Sequence, residues 1–135
     1  MIADTSGLLA LYNAAEPAHE RVTAAIASLD EPLVVSPFVI AELDYLLAKR
    51  VGVGAELTVL EELSSGAYEL PALGPTDLAA CARMIRKYSD QDIGVTDASL
   101  VVLADRFTTR RILTLDRRHF GVLRSLDGKK LVLVP

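Results

Sequence analysis

At 135 residues the chain has the usual size of one domain, and no Pro-, Gly- or Ser-rich stretch divides it. Hydrophobic residues make up 51% and charged residues 24%, which excludes a disordered chain; no apolar run approaches the ~20 residues of a membrane span, and the N-terminus lacks the order of a secretory signal. A cytoplasmic protein that does not enter membranes is expected. The net charge of −4 argues against indiscriminate coating of nucleic acid, but residues 1–100 hold 6 Lys and Arg against 15 Asp and Glu, and residues 101–135 hold 8 against 3.

In chain order, Met1 to Ala3 reads as a short strand, Asp4-Thr5-Ser6 as capping residues, and Leu8, Leu9, Leu11 and Tyr12 as the apolar face of a first helix. A second helix is expected from Pro17 to about Leu29, followed by a buried strand over Leu33–Val35. Ser36 caps the next helix, with Pro37 at its first position and its end near Val51-Gly52. Ala55 to Leu63 supplies another helix, closed by Ser64-Ser65-Gly66, and Tyr68 to Leu70 a short strand. A helix from Pro75 or Thr76 through Lys87 leads to a loop over Ser89–Gly94, after which Thr96 is expected to cap Asp97–Phe107. Arg111–Leu115 forms a late strand, Arg117–Leu123 a short helix, and Leu131–Val134 a last strand after the Asp127-Gly128 turn. Alternation of this kind implies an α/β fold, with a mostly parallel central sheet flanked by helices and a ligand crevice beyond the carboxyl ends of the strands.

Asp4 follows the first strand and Asp116 the late one, so in a parallel sheet both emerge at the crevice edge, although each also suits a helix N-cap. Glu42 lies on a helix whose positions three and four away, Phe38, Val39, Tyr45 and Leu46, are largely apolar, a costly place for a lone carboxylate. Asp97 stands in a first helical turn beside Leu100 and Val101, where the helix dipole also favours an acid. If these acids meet, two unit charges ~4 Å apart repel by ~4 kcal/mol at an effective dielectric near 20. A divalent cation relieves that, and hard ions such as Mg2+ take oxygen ligands while leaving positions for a phosphate oxygen and water. His19 and His119 are the only histidines and Cys81 has no spaced partner, which disfavours zinc; Cys81 reads as a buried structural thiol.

Ile2-Ala3-Asp4-Thr5-Ser6, Val35-Ser36-Pro37 leading to Ala41-Glu42-Leu43, Gly94-Val95-Thr96-Asp97-Ala98-Ser99, and Ile112 to Phe120 around Asp116, in this order, resemble the PIN domain ribonucleases, most closely the VapC toxins of toxin–antitoxin pairs. The resemblance spans nearly the whole chain and implies one three-layer PIN-like domain over residues 1–135. It further implies an acidic cluster of Asp4, Glu42, Asp97 and Asp116 that binds Mg2+ or Mn2+ and hydrolyses RNA. Asp4, Glu42 and Asp97 are then the first metal contacts, and Asp116 binds a second ion or holds a metal-bound water. Thr5 and Ser6 orient these groups; Arg117, Arg118 and His119 lie near enough to meet RNA phosphate, with Arg118 equally suited to a solvated helix end. Asp90 and Asp92 are weaker supporting candidates. The same resemblance implies a transfer RNA or ribosomal RNA loop as substrate, 5′-phosphate and 3′-hydroxyl products, a VapB-like antitoxin and a homodimer.

Two alternatives of other classes fit less well. A receiver-like metal-binding signalling module shows paired acids near its first strand and a lysine after its last, whereas Thr5 and Ser6 follow Asp4 here and Pro135 follows the last strand. A catalytically silent PIN-type binding domain is opposed by the intact set of four acids.

Overall fold

The computed structural model describes residues 1–135, with elements in the order β1 (Ile2–Ala3), α1 (Thr5–Tyr12), α2 (His19–Ala27), β2 (Val34–Val35), α3 (Pro37–Arg50), α4 (Val53–Ser64), α5 (Pro75–Lys87), α6 (Val95–Arg106), β3 (Arg111–Leu113), α7 (Arg117–Val122) and β4 (Val132–Val134). The four strands form one parallel sheet in the order β2-β1-β3-β4. β1 is central, with Ala3 in register with Val35 on one side and with Leu113 on the other. From β1 the chain moves to one side for β2 and then crosses to the other for β3. The point beyond β1 and β3 is therefore a topological switch, where open parallel sheets place their ligand crevice.

β1, β2 and most of β3 are buried, and strands buried on both faces read as continuous apolar runs rather than alternating ones, whereas β4 at the edge is partly exposed. Ile2, Ala3, Val34, Val35, Ile112 and Leu113 are all buried. α6 packs on β1 and β3, α5 packs on α6, and α3 packs on α1, α4 and α6. Phe120 is the only aromatic ring among the fully buried side chains, so aliphatic groups fill the interior, as the composition implied. α1 lies so close to β3 that a Cβ on Gly7 would stand 2.7 Å from the Leu113 carbonyl oxygen, and only glycine permits that approach.

Several boundaries differ from the sequence expectation for identifiable reasons. The strand at Tyr68–Leu70 is reduced to a single bridge between Glu69 and Val34, in which Glu69 donates to Leu33 and accepts from Val35. The next ladder donor would belong to residue 71, and Pro71 has no N–H. α2 starts at His19, because Pro17 lies within a turn closed by the His19 N–H donating to Glu16. β3 ends at Leu113 rather than Leu115, since the N–H groups of Leu115 and Asp116 donate to the Ser6 and Thr114 hydroxyls instead of to a strand. α6 begins two residues earlier than expected: Gly94, not Thr96, is its N-cap.

Candidate functional site

Asp4, Glu42, Asp97 and Asp116 line one cavity of ≈ 480 Å³ at the carboxyl ends of β1 and β3, together with Thr5, Ser6 and His119. Each acid arrives there for a local reason. Asp4 caps α1 and is only 6% exposed; its Oδ2 accepts from the Ser6 hydroxyl at 2.5 Å, the Thr114 hydroxyl at 2.7 Å and, at 3.4 Å, the Ser6 N–H. Asp97 reaches back from the first turn of α6, where Oδ2 accepts from the Gly94 N–H at 3.0 Å. Asp116 caps α7 through Oδ1, which accepts from the His119 N–H at 2.9 Å. Glu42, on the second turn of α3, accepts from the Thr5 hydroxyl at 2.7 Å through Oε2. Below them, the Ser36 and Ser99 hydroxyls meet at 2.8 Å in the core and tie the start of α3 to the start of α6, the helices that carry Glu42 and Asp97.

The capping expectations for Asp4 and Asp116 hold, and the same two side chains line the cavity. In each of Asp4, Glu42 and Asp97 one carboxylate oxygen is taken up by the fold, while Asp4 Oδ1, Glu42 Oε1 and Asp97 Oδ1 accept no protein hydrogen bond. Burial pushes the Asp4 carboxyl above its ordinary value, with the Asp97 charge adding to the rise and the Ser6 and Thr114 hydroxyls opposing it. Burial also raises the Asp97 carboxyl; Gly94 and His119 pull it down, and the charges of Asp116 and Glu42 push it up.

Oxygen donors of one charge lining a shared space, one of them buried and two half-buried, suit a hard divalent cation. No three His, Cys, Asp or Glu side chains are drawn into a ready-made cage, however. Hydrogen bonds from Thr5, Ser6, Thr114, Gly94 and His119 hold the acids in place, and mutual repulsion opposes closer approach.

His119 lines the cavity with its ring turned to two of the acids. Its Nδ1 lies 3.0 Å from Asp116 Oδ2 and 3.9 Å from Asp97 Oδ1, and its Nε2 is buried without a protein partner. Arg117 donates to the Pro135 carbonyl at 2.9 Å, Arg118 is exposed, and neither lines the cavity. Asp90 accepts from the Gln91 amide and Asp92 is exposed in the loop, both away from the cavity lining.

Two contributors escaped the sequence reading. Thr114 binds Asp4 and the Asp116 N–H at once, at 2.7 and 2.9 Å; its signal was a hydroxyl set between Leu113 and Leu115 just before Asp116. Arg50 lines the cavity from the last turn of α3, and the spacing Glu42, Leu46, Arg50 marks one helix stripe.

A parallel sheet whose switch point carries four acids from four separate segments defines a class, and the PIN domain family matches residues 1–124: the chain belongs to that family. Within it, the chain is 56% identical to the ribonuclease VapC26 of Mycobacterium tuberculosis (strain ATCC 25618 / H37Rv) over 135 residues, the whole of both proteins. Among solved structures, Mycobacterium tuberculosis VapC20, described as a sarcin-ricin loop cleaving toxin, superposes with a TM-score of 0.82 at 17% identity, over 93% of this chain and 97% of that one. FitAcB from Neisseria gonorrhoeae gives a TM-score of 0.66 at 20% identity, over 99% and 96%. The resemblance to the PIN and VapC proteins and the parallel α/β fold are thus borne out, and the receiver-like alternative falls away. No helix is long and apolar enough to cross a membrane.

Proposed function

We propose that this chain is a metal-dependent endoribonuclease toxin of the VapC type, held inactive by a VapB-like antitoxin. The observation that carries the reading is the convergence of Asp4, Glu42, Asp97 and Asp116 on one cavity in a chain 56% identical, end to end, to a ribonuclease. Mg2+ or Mn2+ is held by Asp4, Glu42 and Asp97, whose unbonded oxygens fit a hard cation, with Asp116 holding a second ion or a water. Such an ion, when bound, lowers the pKa of a water and polarises the phosphate to be attacked.

The protein's own groups supply the positioning. Thr5 fixes one oxygen of Glu42, Ser6 and Thr114 fix one oxygen of Asp4, and the Gly94 N–H fixes one oxygen of Asp97, so the other oxygen of each stays directed by a bond on its neighbour. Preorganised ligands of this kind need little rearrangement when substrate arrives. The substrate is a single-stranded or loop segment of transfer RNA or ribosomal RNA, since unstacked bases and an accessible phosphate occur there. Cleavage leaves 5′-phosphate and 3′-hydroxyl ends. A cytoplasmic homodimer completes the reading.

The test is cleavage of total RNA by the purified chain with Mg2+ or Mn2+, with and without chelator, and by Asp4→Ala and Asp97→Ala checked for folding by circular dichroism. Chelator and both substitutions are expected to abolish cutting. Undiminished cleavage by either folded variant would defeat the proposal, and sequencing of the cut ends would name the RNA.

A further inference from the structure

α3 carries Glu42, Leu46 and Arg50 at intervals of four, which places them on one stripe of the helix, and all three line the acidic cavity. Arg50 is the only Lys or Arg in that lining. It is exposed and forms no ion pair with any carboxylate. Several other arginines are occupied by the fold: Arg106 binds Asp77 and the Ala72 carbonyl, Arg117 binds the Pro135 carbonyl, and Arg124 binds the last carbonyls of α7. Arg50 has no such duty. A basic residue in the last turn of α3 complements the helix dipole, but Lys49 does so already and lies along the Tyr45 ring, outside the cavity. The dipole does not account for a guanidinium on the Glu42 stripe.

At a rise of 1.5 Å per residue, Arg50 sits about 12 Å further along α3 than Glu42. With no carboxylate within 4.0 Å of it, the guanidinium stands apart from the acids on the same cavity wall, where a phosphate next to the one they face would pass. The phosphates of an RNA strand nearest a cavity walled by four acids are repelled by them, and a planar guanidinium at the rim, able to bind phosphate through two parallel N–H groups, offsets that repulsion at one point. We propose that Arg50 is a substrate-binding residue that grips an RNA phosphate flanking the one that is cut. The assignment rests on the ribonuclease reading and deepens it.

The experiment pairs kinetics with equilibrium binding. For cutting of a labelled single-stranded RNA of mixed sequence, Arg50→Gln is expected to raise KM about tenfold, the loss of one charge-assisted hydrogen-bonded contact, with kcat little changed. In the non-cutting Asp4→Asn background, binding of the same RNA should fall by a similar factor, and the slope of log K against log salt should become shallower by ~0.7, the value for one phosphate contact on a single strand. Arg50→Lys keeps that slope while losing part of the affinity. Arg83→Gln, an exposed charge on α5 outside the cavity, controls for net charge alone and should match wild type. If wild type cuts RNA but Arg50→Gln leaves both KM and salt slope unchanged, the assignment fails while the ribonuclease reading stands. A loss confined to antitoxin binding also overturns it, and a wild-type chain that neither binds nor cuts RNA overturns both.

Discussion

His119 holds Asp116 from two directions: its N–H donates to Oδ1 at 2.9 Å, and its ring Nδ1 lies 3.0 Å from Oδ2. The ring also faces Asp97 Oδ1 at 3.9 Å, while Nε2 is buried without a protein partner, so the imidazole is fixed by one edge against the third and fourth acids of the cavity. The backbone bond survives any substitution but proline, and the ring contact does not. His119→Ala is therefore expected to leave α7 folded but to lower kcat for RNA cleavage by on the order of 10- to 100-fold, the usual cost of losing a group that orients a ligand. His119→Asn, which returns an amide nitrogen near the place of Nδ1, should recover part of the loss. Equal activity in wild type and His119→Ala would show that the ring contact is incidental.

The raised carboxyls of Asp4 and Asp97 make a prediction about stability with a definite sign. A carboxyl whose native value lies above the ordinary 3.8 binds its proton more readily in the fold than in the unfolded chain, so stability falls as pH rises from about that value through the raised native one. At neutral pH both acids thus oppose folding unless a cation is bound. Asp4→Asn and Asp97→Asn, which keep an oxygen for their hydrogen bonds, are expected to raise the Tm of the chelator-treated protein at pH 7, with the gain shrinking toward pH 4. Mg2+ or Mn2+ should raise the wild-type Tm and leave the variants nearly unmoved. A variant less stable than wild type at pH 7 and unchanged in its pH profile would contradict the burial argument.

Asp97 illustrates what the sequence could and could not convey. α5 and α6 open with the same pattern, Gly74-Pro75-Thr76-Asp77 and Gly94-Val95-Thr96-Asp97, and in both the aspartate accepts from the glycine N–H, at 2.8 and 3.0 Å. Their surroundings then diverge. Arg106 binds Asp77 and holds its carboxyl below the ordinary value, whereas burial and neighbouring acids push Asp97 up. Local spacing specifies the helix start in each case, and only the tertiary path, which sets α6 against β1 and β3, brings one of them to the acidic cavity. The four acids were legible because each follows a strand or sits on an apolar helix stripe. Thr114 and Arg50 were not, since a hydroxyl at a strand end and a basic residue in a last helical turn both have sufficient local explanations. The bridge at Glu69 was over-read as a strand because Pro71 ends the ladder one residue later.

Gly7 tests whether the closeness of α1 to β3 sets the cavity wall. A Cβ there would meet the Leu113 carbonyl oxygen at 2.7 Å and Leu113 Cγ at 2.8 Å, and the first of these is sheet backbone that cannot swing aside. Gly7→Ala is expected to destabilise by about 1–3 kcal/mol, the range for overpacking, although alanine favours helices. Chemical denaturation should show a lower midpoint with an unchanged slope. An unaltered or higher midpoint would mean that α1 moves freely off the strand.

Thr114 joins the two halves of the site, because one hydroxyl donates to Asp4 on the central strand's exit and accepts from the Asp116 N–H that begins α7. The Ser6 hydroxyl stands 3.2 Å away and accepts from the Leu115 N–H, so after the Thr114 N–H has donated to Val134 of β4 the turn into α7 is held by the Ser6 and Thr114 hydroxyls. Thr114→Val preserves the shape but leaves a buried carboxylate short of a donor and a backbone N–H without an acceptor. The expected cost is about 1–3 kcal/mol of stability, with weaker binding of Mn2+ measured calorimetrically. Thr114→Ser restores the hydroxyl and should return both quantities toward wild type, although it loses a buried methyl. If serine fails to recover Mn2+ affinity where valine lost it, the effect belongs to packing around residue 114 and not to the Asp4–Asp116 link.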